Sequence, residues 1–161
     1  MRSGLRAAIL AAIFPVAALA DGAPPDEAAL GLSAPFGAAT QVLATADWAA
    51  SPPALRLSLL DAAGHEVGAI PVPETEAAYF DLRGLTEADV DGDGDGDLVA
   101  LAEYASGVGP SGAAPYPQAM VWLRGPEGFA PAPGLVETVN GGDDPGDMAA
   151  LVAAIRAAAG G

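Results

Sequence analysis

Hydrophobic and polar positions alternate along much of this chain with a period of two. In ALRLSLLD (54–61), Leu55, Leu57 and Leu59 share one face, as a half-buried strand requires. QVLATADW (41–48) alternates in the same way, and a Ser-Pro-Pro break separates the two. Asp61-Ala62-Ala63-Gly64 then reads as a turn and HEVGAIPV (65–72) as a returning strand, which together predict a β-hairpin. AYFDLRGL (78–85) is a further strand, with Tyr79 or Phe80 turned inward. LVALAEY (98–104) is an unbroken apolar run bounded by turn signals, the pattern of a buried strand. QAMVWLRG (118–125) is another strand, closed by a Gly-Pro-Glu-Gly turn. FAPAPGLVETV (129–139) reads as a broken edge strand, because Pro131 and Pro133 cannot donate to a central ladder.

The period changes at the end of the chain. Met148, Leu151, Val152 and Ile155 recur at helical spacing, which predicts an amphipathic helix docked on the sheet. Asp144 is the expected N-cap, with Pro145 at the first helical position and Asp147 three residues after the cap. A helix lying on a membrane surface is disfavoured, since Arg156 alone could serve its polar face. The fold class that follows is mostly β: one antiparallel domain with a C-terminal amphipathic helix.

The N-terminus has a different texture. Arg2 and Arg6 precede an apolar run that ends in Ala18-Leu19-Ala20, the pattern of a cleaved signal peptide over residues 1–20. The run is too short for a membrane span, which needs roughly 20 apolar residues. Residues 21–35, rich in Ala, Pro and Gly, are expected to be a flexible leader, in which AALGL (28–32) makes at most a turn of helix. Residues 36–161 form the domain. Export implies a periplasmic or secreted protein.

Composition narrows the chemistry. The chain has no cysteine, so disulfides, zinc-thiolate sites and Cys nucleophiles are excluded. Its formal charge is −15, and removal of Arg2 and Arg6 makes it −17. Such a polyanion does not neutralise phosphates, so nucleic acid and anionic lipid are poor partners and no membrane is expected after cleavage. Cations and basic proteins are good ones.

Within this acidic chain, DVDGDGDGD concentrates five aspartates between Asp89 and Asp97. Carboxylates at alternate positions converge when the chain curls, and a hard cation cancels their repulsion. Calcium takes six to eight oxygen ligands in this manner. Two registers compete. Starting at Asp91, the ninth and twelfth places are Val99 and Ala102, and ligands run out. Starting at Asp89, the loop fills its first, third and fifth places with Asp89, Asp91 and Asp93 and its sixth with Gly94. Asp95 then offers a carbonyl at the seventh place and Asp97 a side chain at the ninth, so this register is preferred. The bidentate Glu of an EF-hand is missing, because Ala100 stands there.

Asp89-Val90-Asp91-Gly92-Asp93-Gly94-Asp95-Gly96-Asp97-Leu98-Val99 resembles the calcium loops of FG-GAP and VCBS-type repeats, which join two strands and run directly into an apolar one. The resemblance covers residues 86–104. It implies Asp89, Asp91, Asp93 and Asp97 as side-chain ligands of Ca2+ and Asp95 as a carbonyl ligand. A full propeller is not expected, since one loop is present and propellers need several blades.

Other candidates carry less. His65, the single histidine, follows a turn glycine and is expected to be exposed. Ser106 and Ser111 lie outside any G-x-S-x-G elbow. Trp48, Trp122, Tyr104 and Tyr116 are expected chiefly in packing. The Gly- and Pro-rich segment from Ser106 to Pro117 could present backbone to a basic protein partner. The expectation is an exported, non-catalytic calcium-binding or scaffold module. The alternative is a periplasmic inhibitor of a basic enzyme such as lysozyme, whose inhibitors are similar in size and export.

Overall fold

The computed structural model describes residues 27–107 and 114–160, so the signal-like segment 1–20 lies outside the described residues. Eight strands run in chain order: β1 (Glu27–Phe36), β2 (Ala39–Asp47), β3 (Ala54–Leu60), β4 (Glu66–Ile70), β5 (Ala78–Ala88), β6 (Asp97–Ala105), β7 (Tyr116–Gly125) and β8 (Gly128–Pro131). They form two four-stranded antiparallel meanders, β1-β2-β3-β4 and β5-β6-β7-β8. A 3-10 turn (Pro133–Leu135), a short helix α1 (Glu137–Asn140) and the terminal helix α2 (Met148–Ala159) follow. Among the described residues no helix is long and apolar enough to cross a membrane.

The period-two positions place the core. Val42 pairs with Leu59, Ala44 with Leu57 and Ala46 with Leu55, so one face of β2 and β3 is continuously apolar. That face packs with Leu98, Ala100, Ala102, Tyr104, Met120 and Trp122 of the second sheet. Trp122 is wholly buried and donates its indole N–H to the Pro71 carbonyl at 2.6 Å, which ties the β4–β5 connection to the second sheet. On the other face of that sheet, Val99, Leu101, Ala119 and Val121 pack against Val136, Leu151 and Ile155. Strand β6 is therefore covered on both sides, which is why LVALAEY has no polar alternation.

Three local expectations are corrected. The flexible leader expected over 21–35 is overturned from residue 27 on, because residues 27–36 form β1, paired with β2 through Ala28–Ala44 and Leu30–Val42, while 21–26 lie outside the described residues. Ala28, Leu30 and Leu32 pack on the core, so AALGL is strand and not helix. The cap of α2 is Asp147, whose side chain accepts from the Ala150 amide at 2.8 Å. Asp144 is held elsewhere, accepting from Arg83 Nη1 at 2.6 Å and from the Gly146 amide at 2.9 Å. The segment after Phe129 keeps its strand only to Pro131 before turning helical. Of the two aromatic residues at the start of β5, Tyr79 faces inward and Phe80 outward.

Candidate metal site

The aspartate run is the hairpin loop between β5 and β6, closed by the pair Ala88–Asp97. Asp97 opens β6 and is wholly buried. Both of its oxygens are used: Oδ2 accepts from the Val90 amide at 2.9 Å and Oδ1 from the Arg124 amide at 2.8 Å. One carboxylate thus joins the start of the loop to β7. Val90, whose side chain is buried in the helix-side core, fixes the loop at its other end.

Between these anchors the chain curls inward. The Asp89 carboxylate accepts from the amides of Gly92 (2.7 Å) and Gly94 (3.2 Å), while Asp91 accepts from Asp93 (3.2 Å) and Asp93 from Asp95 (2.8 Å). Gly92 and Gly94 have φ of 85° and 93°, a region L-residues rarely adopt, so the curl requires glycine there. The result brings carboxylate oxygens of Asp89, Asp91 and Asp97 within 4.8 Å of one another. Calcium–oxygen bonds of about 2.3–2.6 Å allow two ligands of one ion to be up to about 5 Å apart, so this triad fits a single calcium. Asp93 and Asp95 are exposed and their carboxylates stand outside the triad. For Asp95 the expected donor was its carbonyl, not its carboxylate.

Electrostatics point the same way. Burial pushes the Asp97 carboxyl above its ordinary value, and the charges of Asp91 and Asp93 add to the rise. The two amide bonds pull in the opposite direction. Among the described residues none of the ion pairs includes an aspartate of this loop. Arg156, the side-chain cation at this loop, bonds the Asp89 carbonyl and, among the described residues, pairs with none of the loop carboxylates.

Pattern reading missed the layer around the loop. Glu87, two residues upstream, accepts from the Ser33 amide at 2.6 Å and from its hydroxyl at 3.0 Å. The Arg124 guanidinium donates to the carbonyls of Ala34 (3.0 Å) and Pro35 (2.8 Å), lies 3.7 Å from Glu87, and sits beside the contacting rings of Phe36 and Phe129, 5.8 and 5.9 Å from their centroids. A Cβ at Gly96 would collide with the Glu87 side chain. Arg156 of α2 donates to the Asp89 carbonyl at 2.9 Å. The usable signal was scarcity: only four arginines follow residue 20, and two of them serve this loop.

His65 is exposed on the β3–β4 turn, 3.3 Å from Asp61, which accepts its backbone amide. Of the segment from Ser106 to Pro117, residues 108–113 lie outside the described residues, and Tyr116 and Pro117 already belong to β7. No protein-family model, curated protein or solved structure matches the chain.

Proposed function

We propose that this chain is an exported, non-catalytic β domain that holds a structural Ca2+ in the loop from Asp89 to Asp97. The observation that carries the reading is the triad of Asp89, Asp91 and Asp97, converged within 4.8 Å and without an ion-pair partner among the described residues. Calcium supplies the missing charge. It takes side-chain oxygens from the triad, and water or loop carbonyls complete its shell. Asp93 and the Asp95 carbonyl are the further ligands that the loop pattern supplies. Magnesium is a poor substitute, because a curled, flexible loop does not impose its tight octahedron. The N-terminal pattern of Arg2, Arg6 and the apolar run supports export to the periplasm or beyond.

Isothermal calorimetry of the domain in calcium is the test. One ion per chain is expected, at a dissociation constant near the ~10⁻⁴ to 10⁻³ M of extracellular modules. Asp91→Ala removes an exposed ligand and should abolish the heat while leaving the fold intact. Absence of saturable binding at millimolar calcium would reduce the loop to a solvated acidic turn.

A further inference from the structure

A second site is built at the far end of β6, away from the aspartates. Tyr104 lies seven residues beyond Asp97, roughly 23 Å along the strand. Two cavities of about 380 Å³ and about 340 Å³ meet there, both lined by Glu74, Thr75 and Tyr104. The larger is walled by Met120, Val121 and Val136, and its size falls in the range of small-molecule pockets.

Its polar groups are few and specific. Tyr104 is 2% exposed, yet among the described residues its hydroxyl donates only to the Met120 sulfur, at 3.8 Å. A thioether is a weak acceptor, so a buried phenol donor is left without a strong partner. Burial pushes that phenol up to about 12, with the Tyr116 charge adding to the rise, and it remains a donor at neutral pH. Glu74 and Glu137 stand exposed at the rim, and neither enters an ion pair among the described residues. Asn140 is committed: its side-chain amide exchanges two bonds with the Ala119 backbone, at 2.7 and 3.0 Å. It occupies the β7 edge at that position, where an added peptide strand would have to pair.

We propose that this cavity binds a small cationic amide: an apolar body against Met120, Val121 and Val136, a carbonyl oxygen accepting from Tyr104, and an ammonium or guanidinium facing Glu74. Each part answers a group the fold leaves unmatched. The apolar walls account for the body, the phenol donor selects an acceptor, and the rim carboxylates select the charge.

The test is a proton–nitrogen NMR titration of the full domain with N-benzoyl-arginine amide, in calcium and about 150 mM NaCl to screen unspecific attraction to the polyanion. Saturable shifts are expected at Tyr104, Met120 and Val136. The uncharged N-benzoyl-norleucine amide should bind about tenfold more weakly. Tyr104→Phe keeps the ring and should weaken the arginine compound about fivefold. Glu74→Gln, at an exposed position that leaves the fold intact, should bring the two compounds to similar affinity. No saturable shift up to about 10 mM, or shifts confined to residues 89–97, would overturn the proposal. So would affinities unchanged in both variants. Should Tyr104→Phe unfold, Glu74→Gln decides alone.

Discussion

Asp97 and Asp91 carry the same side chain in one loop, and their environments give them different work. Asp97 is buried and satisfies two backbone amides, whereas Asp91 is exposed and accepts a single local bond. Without calcium, Asp97→Ala strands the amides of Val90 and Arg124, at about 1–3 kcal/mol for each unsatisfied donor. Relief of a buried charge offsets part of this, so about 2–4 kcal/mol is expected by urea denaturation. Asp91→Ala in the same buffer should be neutral or slightly stabilising, since it removes a repelling charge. Equal losses in the two variants would mean that the loop has no division between anchor and ligand. The alternating aspartates and their glycines were legible in the sequence because ligand spacing is local. The anchoring role of Asp97 was not, because it depends on Arg124, 27 residues away.

Strands announce themselves when apolar side chains alternate, as in β2 and β3, or run unbroken between turn signals, as in β6. Strand β1 was not legible, because Ala, Gly, Ser and Pro fill six of its ten places and only Leu30, Leu32 and Phe36 carry apolar bulk. Besides its apolar contacts, β1 is tied to the second sheet by polar ones: Ser33 on Glu87, and the Ala34 and Pro35 carbonyls on Arg124. Arg124→Lys keeps the charge but loses the planar fork that spans both carbonyls. Amide exchange in residues 30–36 should then rise about tenfold, while β6 stays protected. Uniform acceleration across the sheets would instead mean global destabilisation. Helix α2 offers a parallel case. Its apolar face was readable, but three aspartates precede it and spacing alone favoured Asp144. Arg83 takes that carboxylate and leaves Asp147 to cap. Asp147→Ala should cost about 0.5–2 kcal/mol, and Asp144→Ala, which loses an exposed ion pair, distinctly less. Thermal melts of the two variants distinguish the assignments.

Across the whole molecule, a formal charge of −15 opposes compaction, and the four arginines beyond residue 20 are spread over three different regions of the fold. Arg56 pairs with Glu66 on the first sheet, Arg83 joins Glu103 to Asp144, and Arg124 and Arg156 serve the ends of the loop. Two effects of added salt must therefore be separated. Screening weakens the general self-repulsion, acts within a Debye length of about 10 Å at 0.1 M, and is similar for any salt of equal ionic strength. A bound ion adds a specific term that grows as RT ln(1 + [L]/Kd), about 2.7 kcal/mol when calcium exceeds its dissociation constant a hundredfold. For a domain of this size that is a rise of roughly 8–12 °C in Tm. Melts at fixed ionic strength in calcium, magnesium and sodium, each against chelator, read the two separately. The expected order places calcium well above magnesium, with magnesium close to sodium. Equal melting temperatures in the three salts would assign the whole effect to screening and leave the aspartate triad without an ion. A calcium increment that vanishes in Asp91→Ala ties the stability of the second sheet to one loop, through the carboxylate of Asp97 and its bonds to Val90 and Arg124.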